Sequence, residues 1–340
     1  AWSDTENVAW KVALPGRGPS SPIVVAGSVI VTCSSGVQQD RLHVLCFDVK
    51  TGRQRWHRQF WATGRTLCHP TSANAAPTPA SDGRQIYAFY SSNDLICLDL
   101  AGNLKWYRGL THDYPRACND TGMASSPLVV GRTVVVQVEN QGDSFAAGLD
   151  VASGRNRWRL PRKRQASWAS PVALRDPETD RKILVLQSPA ELTAHDIASG
   201  RQLWRHAADC DWIASPLVFD SVVYVPANGV TALRAPAAAA AAHPEVLWQE
   251  NRLQPKNASA VVHRGQLFAI NGSGVLSCGD AANGKIMWRL RLKGHFWATP
   301  VAVGNRLYAI NSAGLAQVIE LGKKGRVIGT SDFQETIQGS

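Results

Sequence analysis

Asp196-Ile-Ala-Ser-Gly200-Arg-Gln-Leu-Trp204 is a phrase that the chain writes four times. It returns as Asp48-Val-Lys-Thr-Gly52-Arg-Gln-Arg-Trp56, Asp150-Val-Ala-Ser-Gly154-Arg-Asn-Arg-Trp158 and Asp280-Ala-Ala-Asn-Gly284-Lys-Ile-Met-Trp288, and once a residue shorter from Asp99 to Trp106. An Asp that caps the backbone N–H groups of a turn, a Gly that supplies positive φ and a Trp that re-enters extended chain describe a connection between two strands. Trp10 and Trp248 fit the register without the Asp, and Gly325-Arg-Val-Ile-Gly329 is a last copy that has lost its Trp. Successive tryptophans at 10, 56, 106, 158, 204, 248 and 288 are spaced 40 to 52 residues apart, a period that belongs to solenoids, propellers or arrays.

Working outward, each unit reads as four short strands. A Ser/Thr-Pro step opens the first at Ser21-Pro22, Thr78-Pro79, Ser126-Pro127, Ser170-Pro171, Ser215-Pro216 and Thr299-Pro300, and Pro is tolerated at a strand's first residues. Runs such as Thr133-Val-Val-Val-Gln137 and Ser221-Val-Val-Tyr-Val225 supply the second strand. The third ends in the turn Asp, and the fourth carries the Trp. No long stretch has helical periodicity. The expected fold is therefore all-β: a β-propeller of four-stranded antiparallel blades forming one domain over residues 1–340. Spacing from each Trp to the next Ser/Thr-Pro step predicts eight blades, the last incomplete in this chain, with a strand around Trp10 closing the ring against the C-terminal blade. The alternative is seven blades with 334–340 as a tail.

Composition fits a folded body: 44% of residues are hydrophobic, too many for a disordered chain, and no apolar run spans a bilayer. The chain opens at Ala1 without Met and shows no signal peptide, so a processed or trimmed N-terminus is expected. The net charge of +10 is concentrated partly in Arg155, Arg157 and Arg159, continuing to Arg162-Lys163-Arg164. Charged outer edges block sheet-to-sheet aggregation, and without a recognisable module they do not argue for nucleic acid.

The Asp-x-x-Thr-Gly-x-x-x-Trp repeat resembles that of the pyrroloquinoline-quinone-type propeller superfamily, which holds quinone-dependent alcohol dehydrogenases and BamB-like envelope lipoproteins. The opening Trp2-to-Pro22 segment is similar to a planctomycete-type group of BamB-like repeat proteins. That resemblance implies the propeller fold and a periplasmic or secreted protein of the bacterial envelope, with a role in protein assembly. The quinone enzymes of the superfamily use adjacent cysteines, a Trp platform and a calcium site. No adjacent Cys pair occurs here, and the oxygen-rich Glu139-Asn140-Gln-Gly-Asp143 reads better as a hairpin, so neither quinone nor calcium is expected.

Cys46, Cys97 and Cys278 stand two residues before the turn Asp, as small core residues of the third strand. Cys68 and Cys118 lie in the longer insertions and are a candidate disulfide; with nearby histidines they match no zinc spacing. Connections into the inner strands of a propeller converge on one rim of the channel. Here they carry Arg17, Asn74, Trp168, Asp211, Trp212, Lys256, His295 and Trp297. Aromatic and Arg residues anchor partner surfaces, so this rim is the candidate site for a protein or peptide partner. Some of these tryptophans would instead serve as wedges between blades. The function expected is a non-enzymatic scaffold. A quinone- or metal-dependent oxidoreductase and a carbohydrate-binding propeller are the alternatives, the last because exposed Trp faces stack on sugar rings.

Overall fold

The computed structural model describes residues 6–117, 121–176, 179–236 and 243–339. Cys118, the alanine run 237–242 and Ser340 therefore lie outside the described residues. These hold 28 strands in seven four-stranded sheets, each built from four consecutive strands paired in chain order, and one short 3-10 turn at Leu110–His112. The first sheet shows the pattern: β1 (Ile23–Val25), β2 (Ser28–Ser35), β3 (Arg41–Asp48) and β4 (Gln54–Trp61), all antiparallel. Seven such blades make the chain an all-β propeller protein. The seventh takes its outer strand, Arg326–Asp332, from the stretch that directly follows its third strand. Residues 8–14 form no strand, yet Trp10 lodges against the first sheet as the repeat tryptophans do. A seven-bladed and an eight-bladed ring both fit this count.

The chain divides into two compact units, one of Ala9–Ala173 with His195–Gln202, the other of Ala1–Val8, Leu174–Ala194 and Leu203–Ser340. Within the first, the repeat phrase becomes a joint between blades. The Asp48 carboxylate accepts from the N–H groups of Lys50 and Thr51, which closes the turn and leaves Gly52 at φ +69°. The indole of Trp10, and then that of each outer strand, donates to the next blade's turn: Trp10 Nε1 to Val49 O at 3.1 Å, Trp56 to Leu100 O at 3.0 Å, Trp106 to Val151 O at 2.9 Å and Trp158 to Ile197 O at 2.9 Å. Each ring lies over the turn glycine. A Cβ at Gly154 would sit 2.7 Å from Trp106 ring carbons, so only glycine admits both the backbone conformation and the ring. In the second unit Trp248 and Trp288 donate likewise to Ala281 O and Gly322 O, both at 3.1 Å. Trp204 Nε1 has no partner among the described residues.

The small third-strand residues follow from the same ring. Cys46, Cys97, Gly148, Ala232 and Cys278 pair directly with Trp56, Trp106, Trp158, Trp248 and Trp288. A Cβ on Gly148 would stand 2.2 Å from Trp158, so the position opposite the indole must stay small. Where the repeat lost its Trp, at Gly329, the paired residue is the larger Val318. In each of these sheets a bulge follows that position and re-aims the strand. The three cysteines are buried core residues, and desolvation holds the Cys97 and Cys278 thiols up at about 12.

The Ser/Thr-Pro step has a second role that strand logic alone does not reveal. Its hydroxyl accepts the backbone N–H of the same position in the preceding blade: Ser21 N donates to Thr78 Oγ1 at 3.0 Å, Thr78 N to Ser126 Oγ at 2.9 Å and Ser126 N to Ser170 Oγ at 3.0 Å. In the second unit Ser215 N donates to Ser259 Oγ at 3.0 Å and Ser259 N to Thr299 Oγ1 at 3.2 Å. A backbone donor at the crowded inner strand is thereby satisfied by a side chain of its neighbour.

The basic outer strand is largely structural. Arg157 Nη1 donates to Thr133 Oγ1 at 2.8 Å, the Arg159 guanidinium lies 4.0 Å from the centre of the Tyr114 ring, and Arg162 makes a buried pair with Glu139 at 2.6 Å. Asn140 caps the following hairpin by accepting from Gly142 N, as expected of a turn.

Candidate functional site

The rim residues of the first unit are taken up by scaffolding. Asn74 is fully buried: its amide donates to Gln39 O and accepts from Ser92 N, so it ties two loops together and presents no surface. This corrects its reading as a contact residue; position before an inner strand did not reveal which way its side chain turns. Trp168 is half-buried and donates to Gly122 O at 2.8 Å, the wedge role rather than an exposed platform. Arg17 is exposed and reaches Pro70 O at 3.2 Å, beside a groove that includes Cys68. Cys68 is a half-buried free thiol that accepts from Gln39 Nε2 at 3.5 Å, and its disulfide candidate Cys118 lies outside the described residues.

In the second unit Asp211, Trp212 and Lys256 line one cleft of about 470 Å³. The loop after the buried Cys210 is fixed from several sides. Asp211 N donates to Pro226 O at 2.7 Å, while the buried Gln187 amide donates to Asp211 O at 2.8 Å and Ala214 O at 2.9 Å. The Asp211 carboxylate caps its own loop through one oxygen, accepting from Ile213 N at 2.8 Å and Ala214 N at 3.1 Å. Its other oxygen meets Lys256 Nζ at 3.1 Å. Lys256 remains mostly exposed, so the pair adds orientation more than stability. With Asp211 held this way, Trp212 stands out from the loop at 56% exposure. His295 stands outside the lining but donates from Nδ1 to the carbonyl of the lining residue Gly272 at 3.1 Å, and Trp297 lies two residues on at 40% exposure. Burial, followed by the nearby Asp209 and Asp211 charges, pushes the Cys210 thiol up to about 12, which makes it a structural residue.

Sequence reasoning missed Asn228 and Gln254, which complete the cleft. Asn228-Gly229 is a hairpin signature, with φ of +50° and +91°, and was readable as a turn. Its approach to Asp211 depends on the isolated bridge between Cys210 and Ala227, which no local pattern announces.

Blades of four antiparallel strands, locked one to the next by a Trp–Gly joint, define a PQQ-like repeat propeller. The chain belongs to the family described as outer membrane protein assembly factor BamB, which matches residues 1–176, 143–251 and 237–328. Among solved structures it is similar to BamB from Moraxella catarrhalis, at 16% identity over 93% of this chain and 86% of that one, with a TM-score of 0.65. A europium-containing methanol dehydrogenase is similar at 13% identity over 97% and 81%, TM-score 0.74. The quinohemoprotein alcohol dehydrogenase of Comamonas testosteroni matches at 12% over 94% and 68%, TM-score 0.68. At these identities the likeness is one of fold. No protein of curated function matches the chain in sequence. No helix among the described residues is long and apolar enough to cross a membrane.

Proposed function

We propose that the chain is a non-enzymatic propeller scaffold that docks a protein or peptide partner across the loops bearing Trp212, Lys256, His295 and Trp297. We place it in the bacterial envelope, periplasmic or secreted, in protein assembly of the kind its family is named for. The observation that carries the reading is Trp212: a large aromatic left exposed on a loop that buried hydrogen bonds hold rigid, with a cation beside it. Pre-organised aromatic anchors are what partner surfaces use. Against quinone chemistry stand the lack of adjacent cysteines and the described residues themselves, among which no three His, Cys, Asp or Glu side chains converge as a metal-ligand set.

The test is photo-crosslinking. A photoreactive residue at position 212 of the full chain gives a discrete, saturable adduct in envelope extracts, while one at Arg155, in the connection just before the outer strand Asn156–Pro161, gives none. Equal, diffuse labelling from both positions overturns the reading.

A further inference from the structure

We infer that the cleft beneath Trp212 is a binding site for a neutral sugar ring. The inference goes beyond the partner reading and is independent of it, since the isolated chain suffices to show it. It begins with what the walls are made of. Apart from the indole, apolar side chains contribute Cys210, Ile213, Pro226 and Pro255, of which all but Ile213 are buried. An aliphatic or aromatic peptide side chain entering the cleft would find few atoms to pack against. What it offers instead is planar polar groups around one exposed ring: the Asp211 carboxylate, the Asn228 and Gln254 amides and the Lys256 ammonium.

These groups are available. Asn228 and Gln254 are exposed and make no intramolecular side-chain hydrogen bond among the described residues. The Lys256 ammonium has three N–H donors, of which Asp211 takes one at 3.1 Å. Asp211 is in turn oriented by two backbone N–H groups, so the acceptor that a ligand meets is already in place before it arrives. A pyranose presents an apolar C–H face for the indole and, around its edge, vicinal hydroxyls that pair with carboxylates and amides as both donor and acceptor.

Charge separates this ligand from anionic ones. Asp209 and Asp211 line the cleft against Lys256 alone, leaving the wall with one more negative than positive group, which repels phosphate, carboxylate and sulfate. The space of about 470 Å³ lies within the range of small-molecule sites and admits one or two sugar rings.

The experiment titrates the full chain with cellobiose, maltose and N,N′-diacetylchitobiose, read by tryptophan fluorescence and by saturation-transfer NMR. Trp212→Ala, Gln254→Ala and the control Trp61→Ala are run alongside, and thermal unfolding checks that each variant is folded. We expect saturable binding of at least one disaccharide with millimolar or tighter affinity. It should weaken about tenfold in Trp212→Ala, weaken measurably in Gln254→Ala, and stay unchanged in Trp61→Ala, whose exposed indole stands at the end of β4 outside the cleft. The absence of saturable binding by any of the three up to roughly 20 mM overturns the inference. So does binding that Trp212→Ala leaves intact, or inorganic phosphate competing at the same site. Crosslinking of a partner from position 212 without any sugar binding would leave the scaffold reading standing and remove this one; a sugar bound without any crosslinked partner would do the reverse.

Discussion

Gly154→Ala tests the joint that the whole repeat is built on. Gly154 holds φ +66° beneath the Trp106 ring, and a methyl group there would lie 2.7 Å from two ring carbons. The ring is not free to leave, because Trp106 Nε1 donates to Val151 O at 2.9 Å and the indole packs into a core with Tyr87 and Phe89. Two costs add. Left-handed backbone costs an alanine about 1–2 kcal/mol, and forcing a methyl into a packed contact costs about 1–3 kcal/mol more, for a sum of about 2–5 kcal/mol. Gly131→Ala is the control: its φ is +57°, but nothing stands within 4 Å of its Cβ position, so it carries the backbone cost alone. Both changes restrict the unfolded chain equally, so that effect cancels between them. Equilibrium urea unfolding of the two variants reads the difference, with equal slopes confirming that the same surface is exposed. Gly154→Ala should be the less stable by about 1–3 kcal/mol. Should the two agree within about 0.5 kcal/mol, the Trp–Gly contact is not what locks one blade to the next.

Arg162→Ala leaves the buried Glu139 carboxylate without its guanidinium and should cost about 3–5 kcal/mol in denaturant unfolding, whereas Glu139→Gln with Arg162→Met together should recover most of that loss. A pH series tests the buried His43, whose ring bonds Ser35 Oγ at 2.7 Å and His57 Nε2 at 2.9 Å. Burial first, then the neighbouring His57 and Arg41, holds its pKa below the ordinary 6.5. Below that value the unfolded chain binds a proton that the folded chain refuses, so stability must fall as pH drops from about 7 toward the folded pKa. Melting temperatures measured across that window should decline less steeply in His43→Gln, by up to about one proton's worth of slope; parallel curves would show that His43 does not contribute.

What was legible in the sequence was whatever recurs. The turn from Asp48 to Gly52 and the Trp that follows it announce themselves because every blade needs the same cap, the same positive φ and the same wedge. The cysteines two residues before the Asp were legible as small core residues; that they are small because a tryptophan lies across the ladder became visible only in the register. The Ser and Thr of the proline step were equally plain as a pattern. Their hydroxyls bond to other blades, and a pairing between residues 40 to 57 positions apart leaves no local trace.

The rim divides along the same line. Asp211, Trp212 and Lys256 could be picked out because aromatic and charged residues stood in connections that otherwise carry small ones. Asn74 was indistinguishable from them, since a buried amide and an exposed one occupy the same place in the pattern. Gln254 had no pattern to belong to, and Asn228 belonged only to a hairpin turn, which says nothing of what the turn approaches. Their part in the cleft comes from how two irregular loops and a hairpin tip are held together, by Gln187 from below and by the Cys210–Ala227 bridge.

The central claim is that this propeller binds without turning over a substrate, although its fold is shared with quinone enzymes. The measurement that tests it most directly is a titration of the full chain with pyrroloquinoline quinone and calcium, followed by absorbance and by alcohol-dependent reduction of a dye. The account predicts no stoichiometric quinone uptake and no dye reduction above the protein-free rate. Saturable, calcium-dependent binding of one quinone per chain, with dye reduction on adding alcohol, would contradict it.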